Sequence, residues 1–317
     1  LKGIAWARVR AGACGGAPVA LIAEGEHHAT LETAEWLQET QGVRVRWLPI
    51  DHEGVLRPAV LTAALAEEGP ENVALVSFLW ANNEVGAVQP VAELCAVARQ
   101  AGVPVHVDAV AALGRLPVSL RDSGASAISV SAHKIGGPVG VGALLLGRST
   151  EADPLFHGGK QQRARSGTQN PAGAIAFATA LEQCTGTAHE QRLARLDALR
   201  DRLVAGVRAA VPDAVLRGPD PGAARAPGNA HFTFPGCQGD SLVFLLDTEG
   251  ISASVGSACQ AGVPETSHVL LAMGVPEEEA RGALRLTLGF ETSDAEVDAF
   301  LAALPGAVER ARAAGLS

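Results

Sequence analysis

The sequence predicts an α/β protein, with a mostly parallel, doubly wound sheet domain followed by a smaller α+β domain. In the first half, short apolar segments alternate with helical patterns, which is typical of parallel strands connected by helices. Most of these segments are unbroken apolar runs, as expected for strands buried on both faces. In the second half, two strand segments alternate apolar and polar residues, which indicates a half-exposed antiparallel sheet.

Five short segments are the predicted strands of the first domain. In chain order they are Val19–Ala23, Val73–Ala81, Val103–Val107, Ala127–Val130 and Gly140–Leu146. Two helices begin at prolines, because proline fits the first turn of a helix, where its missing N–H needs no partner. These helices are Val91–Ala101, which follows Pro90, and Pro171–Cys184.

The second domain is predicted to begin after residue 188, so that the two domains span 1–188 and 189–317. Its first element is a long helix, His189–Ala210, in which arginine and leucine recur at three- and four-residue steps. A loop rich in proline and glycine, 218–228, comes before two predicted strands, Asn229–Phe234 and Ala283–Leu288. Three further helices are predicted at Ser241–Glu249, Glu265–Met273 and Asp294–Ala314.

Composition and charge argue against several classes of protein. The chain has 317 residues, of which 47% are hydrophobic, and its formal net charge is −9. Nucleic acid and anionic membrane surfaces are therefore not expected partners, since both attract basic patches. The apolar stretches are also far shorter than the roughly 18–20 residues that a membrane-spanning helix needs.

The five cysteines are scattered and form no Cys-x-x-Cys pair. They are Cys14, Cys95, Cys184, Cys237 and Cys259. This distribution argues against a disulfide framework and against a metal site, and it is typical of a reducing cytoplasm with one reactive thiol. Cys259 is the candidate, because it lies in a run of small and polar residues that suits an accessible nucleophile. For this residue considered alone, a structural position in a turn is the alternative.

The strongest local signal is the run Ser131-Ala132-His133-Lys134, which follows a predicted strand and leads into a glycine-rich turn. A lysine held at a strand end can be desolvated, which lowers its pKa as Schiff-base chemistry requires. Ser131 and His133 offer hydrogen-bond donors to a phosphate. A lone lysine in a loop is usually a surface residue, so this interpretation depends on the pattern around it.

Further polar residues follow predicted strands at the carboxyl edge, where open α/β sheets bind their ligands. Asp108 ends one of these strands and suits the role of partner to a protonated pyridine nitrogen. Asn83 lies in the run Asn-Asn-Glu-Val-Gly, 82–86, and its amide can bind a phenolic oxygen. His27 and His28 follow the first strand, and one of them can stack on a flat ring or move protons. Each residue also has a structural alternative, namely a helix cap, a turn or a buried histidine.

Together these motifs resemble those of the cysteine desulfurases, pyridoxal 5'-phosphate (PLP) enzymes of fold type I in the aminotransferase class V group. Six motifs occur in the expected order, and the resemblance extends from Leu1 to about Ala303. They are N-N-E-V-G at 82–86, V-D-A at 107–109, S-x-H-K-x-x-G-P-x-G-x-G at 131–142, R-S-G-T at 165–168, S-x-G-S-A-C at 254–259 and L-R-L-T-L-G at 284–289.

The resemblance implies a role for each residue that matches a cofactor-ring motif. Lys134 would form the Schiff base with PLP, and Asp108 would pair with the pyridinium nitrogen. Asn83 would contact the O3′ oxygen of the ring. His27 would stack on the ring and shuttle protons.

The resemblance also implies how the phosphate, the substrate and the sulfur are held. Ser131 and His133 would bind the phosphate, and Thr168 would reach the phosphate of the other subunit in a homodimer. Arg285 would bind the substrate carboxylate, for which a guanidinium fork is well shaped. Cys259 would attack the substrate sulfur.

The implied activity is removal of sulfur from L-cysteine, which gives L-alanine and a persulfide on Cys259. The sulfur would pass to a scaffold or carrier protein for iron–sulfur cluster assembly, because the segment after Cys259 resembles that of the longer-loop subgroup. A selenocysteine lyase, another class V activity and a non-catalytic partner chain are the alternatives. The last of these follows from the start of the sequence. Leu1 lies where the family's G-A-T-E-x-N-N phosphate loop ends, so the resemblance implies a missing preceding segment.

Overall fold

The computed structural model describes residues 1–14, 17–159, 162, 165–222, 224–256 and 266–315. The chain divides into two compact units. The first unit contains 1–50, 56–80 and 89–185, and the second contains 51–55, 81–88 and the chain from 186 onward. Two short segments from the first half of the sequence thus belong to the second unit, and one of them carries the Asn-Asn-Glu-Val-Gly motif. The division into domains at residue 188 places both segments in the first domain, and it stays a prediction.

Six strands of the described chain form one sheet in the first unit. They are β1 (Val19–Ala23), β2 (Arg44–Leu48), β3 (Val73–Leu79), β4 (Val105–Asp108), β5 (Ala127–Ser131) and β6 (Gly142–Leu146). The sheet order is β2-β1-β3-β4-β5-β6, and all neighbours are parallel except β5 and β6, which are antiparallel. The predicted α/β class with a mostly parallel sheet is therefore confirmed. Strand β2 was not predicted, because Arg44 and Arg46 interrupt its apolar pattern.

The burial of the strands follows their position in the sheet. Strands β1 and β3 are buried along their whole length, as their apolar runs predict. The same prediction is wrong for β6, in which residues 142–145 are exposed. Strand β6 is the last strand of the sheet, and the rest of the described unit leaves its side chains uncovered. An apolar run in the sequence does not show by itself whether other parts of the same chain cover the strand.

Six helices of the described chain belong to the first unit. They are α1 (Lys2–Arg10), α2 (His28–Gln41), α3 (Pro58–Glu68), α4 (Val91–Gln100), α5 (Leu120–Ser123) and α6 (Pro171–Glu182). Proline stands in the first turn of α3 and α6, and the Asn170 side chain caps α6 by accepting from the N–H of Gly173 at 2.9 Å. Across the described part of the whole chain, each helix is too short or too polar to cross a membrane.

The second unit contains a three-stranded antiparallel sheet in the order β7-β8-β9. Its strands are β7 (Val215–Arg217), β8 (Asn229–Thr233) and β9 (Ala283–Thr287). Five helices of the described chain accompany it. They are α7 (Thr187–Ala210), α8 (Gly239–Asp247), α9 (His268–Ala272), α10 (Glu277–Ala280) and α11 (Asp294–Gly315). Helices α7, α8 and α11 contribute apolar residues to the core on one face of this sheet.

Strand β8 is buried on both faces, so the predicted half-exposed sheet is wrong here. Its apolar residues, Ala230 and Phe232, lie in the core of the second unit. The polar residues that alternate with them are buried as well. They are covered by residues 81–88, to which the Asn229 side chain donates a hydrogen bond at the Glu84 carbonyl, 2.9 Å away. A segment distant in sequence therefore decides the burial of this face.

Two adjacent leucines of α9 test how strongly packing supports the second unit. Leu270 is fully buried, whereas Leu271 is 44% exposed. We expect Leu270→Ala to lower the free energy of unfolding by about 2–5 kcal/mol, because it removes buried methyl groups and leaves a cavity. The matched change Leu271→Ala is expected to cost less than about 1 kcal/mol. Urea denaturation measures both, and equal losses would contradict the burial assigned to α9.

Candidate active site

The candidate site of the first unit lies at the carboxyl edge of its parallel strands. Asp108 is the last residue of β4, Ser131 is the last residue of β5, and these strands are neighbours in the sheet. His27 follows β1 and caps α2. Parallel strands end at the same edge, which is where open α/β sheets bind ligands. Strand geometry therefore gathers polar residues that are about a hundred positions apart in the sequence.

Asp108 is a buried carboxylate near two basic side chains. Its Oδ1 accepts a hydrogen bond from the N–H of Val110 at 2.9 Å. Burial raises the pKa of Asp108, while this hydrogen bond and the charges of His27 and Lys134 act to lower that pKa. The opposing influence of His27 and Lys134 shows that the structure brings these three predicted residues within electrostatic reach of one another.

Lys134 lies in a short 3-10 helix, His133–Ile135, directly after β5. The following turn closes onto Ala132, since the N–H of Gly137 donates to the Ala132 carbonyl at 2.9 Å. A side chain at Gly137 would meet that carbonyl oxygen, also at 2.9 Å, so this close approach requires glycine. The Lys134 side chain itself is exposed. The expected desolvation of this lysine by the chain is therefore wrong for the described structure.

Two histidines of the site have defined hydrogen-bond partners. The Nδ1 atom of His27 accepts from the N–H of Ala29 at 3.1 Å, which leaves Nε2 as the protonated nitrogen of the neutral ring. The Nδ1 atom of His133 lies 2.6 Å from the Oγ of Ser131. Ser131 and His133 thus form one polar pair beside Lys134, as their predicted shared role requires.

Glu26 is a buried acid of this site that the sequence interpretation missed. It is 1% exposed, and its Oε1 accepts from the N–H of Leu79, at the end of β3, at 2.5 Å. Burial raises the pKa of Glu26 well above its ordinary value, and the Asp108 carboxylate raises it further. Its position directly before His27, in the turn between β1 and α2, was the signal available in the sequence.

The second unit holds the Asn-Asn-Glu-Val-Gly motif against β8 and β9. The Oδ1 of Asn82 accepts from the N–H groups of Glu84 and Val85 at 2.8 and 2.9 Å, so the first asparagine of the motif shapes the turn. The carbonyl of Asn83 accepts from Nη1 of Arg285 at 3.3 Å. The structure therefore brings together two predicted site residues, Asn83 and Arg285, that are separated by 202 positions.

The end of this motif is held by a buried arginine. Arg225 is 1% exposed, and its guanidinium donates to the carbonyls of Pro219, Val85 and Arg217 and to the Oδ1 of Asn229. Burial lowers the pKa of Arg225 to about 10. Gly86 has a φ of +74°, and a Cβ there would lie 2.5 Å from the Oδ1 of Asn229. Both the backbone angle and the close approach demand glycine.

Cys259 lies outside the described residues, but the residues on each side of its segment are described. Ser267 donates from its Oγ to Oε2 of Glu84 at 2.5 Å and also caps α9. A Cβ on Gly256 would lie 3.0 Å from the same Oε2 atom. The backbone of Ser254 exchanges hydrogen bonds with that of Arg285, at 2.6 and 3.3 Å. Both flanks of the Cys259 segment therefore adjoin the motif that contains Asn83.

Thr168 is the remaining candidate residue. It is exposed, in the chain between β6 and α6, and within the described structure no hydrogen bond links it to Ser131, His133 or Lys134. Its predicted contact with the phosphate of a second subunit stays a prediction.

The residues of the first unit fit PLP. An exposed amine and a buried carboxylate lie at one sheet edge, where the amine can bond to an aldehyde and the carboxylate can bind a cationic ring nitrogen. The sequence contains three lysines, Lys2, Lys134 and Lys160. Lys2 instead lies over the ring of Trp36, with its Nζ 3.6 Å from the ring centroid, and Lys160 is outside the described residues.

The raised pKa of Glu26 predicts a pH dependence of stability. Below the unfolded value near 4.5, both states carry the proton. As pH rises from there, the unfolded state loses the proton first, so the free energy of unfolding falls until the pH passes the raised folded value. We expect Glu26→Gln, which keeps an acceptor for Leu79, to gain stability relative to wild type as pH rises from 4.5 to 8. Urea denaturation across this range measures the effect.

The same change at exposed Glu35, Glu35→Gln, is the control. If the stability of Glu26→Gln and of wild type depended on pH in the same way, the burial argument would be contradicted.

Comparison with known proteins agrees with this geometry. Residues 11–300 match the family model described as aminotransferase class-V. An IscS-like cysteine desulfurase of Mycobacterium tuberculosis is 51% identical over 100% of this chain and 79% of that protein. A cysteine desulfurase IscS of Clostridium botulinum is 37% identical over 98% of this chain and 76% of that protein.

Solved structures show the same similarity. A NifS-like protein has a TM-score of 0.84 and 32% identity, over 98% of this chain and 78% of that chain. DndA of Streptomyces lividans has a TM-score of 0.72 and 30% identity, over 90% of this chain and 77% of that chain. The chain therefore belongs to the aminotransferase class V family and, within it, to the PLP-dependent cysteine desulfurases.

Proposed function

We propose that this chain removes sulfur from L-cysteine at the carboxyl edge of its parallel sheet and passes it, through a persulfide on Cys259, to an acceptor protein. The observation that carries the proposal is the grouping of Asp108, His27 and Lys134 at that edge. Bound PLP supplies an electron sink for the pair of electrons released at the substrate α-carbon. The protein residues hold, orient and protonate the reacting groups.

The cofactor is held by residues of different chemistry. Lys134 would hold PLP through its aldehyde carbon, and the Asp108 carboxylate would hold the ring nitrogen in its protonated form. As the resemblance implies, Ser131 and His133 would bind the phosphate, and the Asn83 amide would bind the ring O3′. Burial makes an unpaired Asp108 carboxylate costly, so a cationic ring nitrogen stabilises it strongly.

Substrate binding and proton movement fall to two further residues. The Arg285 guanidinium binds the carboxylate of L-cysteine, for which its planar fork is suited. Its Nη1 already donates to the Asn83 carbonyl, which fixes the direction of the side chain. His27 would stack on the cofactor ring and would move protons through Nε2, because its Nδ1 accepts a hydrogen bond from the N–H of Ala29.

The sulfur step uses the thiolate of Cys259. This thiolate attacks the substrate sulfur, so that an S–S bond forms while the substrate C–S bond breaks. The electron pair of the C–S bond stays on the substrate β-carbon, which takes up a proton. Return of a proton to the α-carbon then completes L-alanine. The enzyme is left with a persulfide, and atoms and electrons balance without an added oxidant.

The acceptor of the sulfur is proposed to be a scaffold or carrier protein for iron–sulfur cluster assembly. The resemblance of the Cys259 segment to the longer-loop subgroup supports this assignment, and IscS in the names of two relatives agrees with it. A cytoplasmic location is part of the proposal, because scattered cysteines suit a reducing compartment.

The protein is also proposed to form a homodimer through an exposed apolar surface around β6. This β6 surface consists of Val139, Leu144, Leu145 and Ile175, which are 83%, 49%, 40% and 67% exposed. Helix α6 adjoins it, since a Cβ on Gly173 would lie 2.9 Å from the Val141 side chain. Leu144 and Leu145 lie on opposite faces of β6, so apolar side chains are exposed on both faces of this edge strand, which indicates a protein interface. A second copy is the chosen partner because Thr168, whose proposed role is in the partner's site, lies in the chain between β6 and α6.

Two variants separate cofactor binding from sulfur transfer. We expect Lys134→Ala to abolish the visible absorption of bound PLP and the lysine adduct trapped by borohydride, because the bonding amine is lost. Cys259→Ala should keep that absorption but lose alanine formation by about 10³-fold or more, as removal of a nucleophile does. Lys2→Ala and Cys184→Ala are the matched controls, and both should retain activity. Undiminished alanine formation by Cys259→Ala would disprove the persulfide step.

The homodimer is tested by placing a charge in the β6 surface. We expect Ile175→Lys to shift the protein from dimer to monomer at micromolar concentration, since an interface core tolerates an unpaired charge poorly. Phe244→Lys is the control, because Phe244 is 67% exposed on α8, outside this surface. Analytical ultracentrifugation measures the mass, and a wild-type protein that sediments as a monomer would refute the proposal.

A further inference from the structure

A buried histidine with no part in the proposed chemistry lies in the centre of the second unit. His231 is 0% exposed, on the middle strand of the three-stranded sheet, and its ring is on the face opposite the apolar core. The backbone of Glu84 is the polar group that faces this ring. Burying a polar ring is costly, so its place here needs an explanation.

The position of His231 in the sheet places it beside the proposed carboxylate-binding arginine. His231 pairs with Arg285 across β8 and β9 and with Arg217 across β7 and β8, so the three side chains share one face. The backbone N–H and C=O of Arg285 are turned to Ser254 on the other side of β9. His231 and Arg285 therefore form a non-hydrogen-bonded cross-strand pair, the type in which side chains lie closer together.

The surroundings keep the ring of His231 uncharged. Burial, together with the charge of Arg285, lowers the pKa of His231 to about 3, while the backbone of Glu84 acts in the opposite direction. Arg217 and Arg225 also oppose protonation of the ring. The residue beside Arg285 is thus a planar ring whose surroundings disfavour its charged form.

We propose that His231 is a positioning residue for substrate carboxylate recognition. Its ring occupies the space beside the Arg285 stem on the sheet, so that the guanidinium stays extended toward Asn83, where Nη1 reaches the carbonyl. A smaller residue leaves room for the Arg285 side chain to fold back onto the sheet. A cationic residue repels the guanidinium. This inference rests on the proposed role of Arg285.

Three variants test the proposal in the PLP-loaded enzyme. His231→Ala removes the ring, His231→Gln restores a neutral polar side chain of similar length, and Thr233→Ala is the matched control. Thr233 lies two residues along the same face of β8, is 1% exposed and accepts from Nε of Arg217 at 2.8 Å. It pairs with Ala283 rather than with Arg285. Thermal unfolding first establishes how much each variant is destabilised.

The measurements compare ligands with and without a carboxylate, so that they separate carboxylate binding from other effects of the variants. We expect His231→Ala to raise KM for L-cysteine about tenfold with kcat changed less than about twofold, as loss of ground-state binding does. The dissociation constant of L-alanine, followed by the cofactor's visible absorption, should rise by the same factor. That of ethylamine, which lacks the carboxylate, should stay unchanged. His231→Gln should recover most of the loss, and Thr233→Ala should match wild type in both constants.

Each other outcome overturns a defined part of the argument. Equal weakening of L-alanine and ethylamine by His231→Ala, or the same weakening by Thr233→Ala, would make His231 a merely structural residue. Arg285→Ala distinguishes this failure from failure of the proposed function. If Arg285→Ala weakens L-alanine and His231→Ala does not, only the positioning role is wrong. If Arg285→Ala leaves L-alanine binding unchanged, the assignment of the carboxylate site is wrong as well.

Discussion

The placement of ionisable groups where water is excluded is the constraint on which the site depends. Asp108 ends an apolar strand in the middle of a parallel sheet, and Glu26 lies buried near it. Burial raises the pKa of both carboxyl groups, the Asp108 charge raises that of Glu26 further, and the charges of His27 and Lys134 act to lower that of Asp108. A protonated Glu26 leaves Asp108 as the carboxylate that a cationic ring nitrogen can bind. The sheet topology supplies this environment, because the strands that bear these residues end at one edge.

In the second unit the buried ionisable groups include arginine side chains, which carry positive charge. The guanidinium groups of Arg225 and Arg285 donate to backbone carbonyls, two of which, those of Val85 and Asn83, belong to the motif at 82–86. These contacts join sequence motifs that are about two hundred residues apart. Glu84 adds a negative group, which accepts from Ser267 at the far flank of the Cys259 segment. The motif thus connects the proposed substrate-binding arginine with the chain on both sides of the proposed sulfur carrier.

Local sequence patterns predicted the elements and the motif residues, but not the burial that decides their chemistry. Unbroken apolar runs located β1 and β3 because burial on both faces leaves a simple signature. For β6 the same pattern gave a wrong prediction of burial, because no part of the described chain covers this strand. His231 carried no signal of its own, and Glu26 carried only its position before His27, since the burial of both depends on segments distant in sequence. Lys134 was recognised by its motif, yet the motif did not reveal that its side chain is exposed. The role of Cys259 stays a prediction.

The close contact of Gly86 with Asn229, and the hydrogen bond of Asn229 with Arg225, limit how the sequence of this enzyme can change in evolution. Any side chain at position 86 would displace the Asn229 amide, and that displacement would take one acceptor from a guanidinium that is fully shielded from solvent. Loss of any one member leaves another buried polar group without its bond, so single replacements are penalised at all three positions. Substitutions at these three positions are therefore expected to occur together in evolution. These three positions should consequently vary together across related genomes, even where the neighbouring surface loop changes freely.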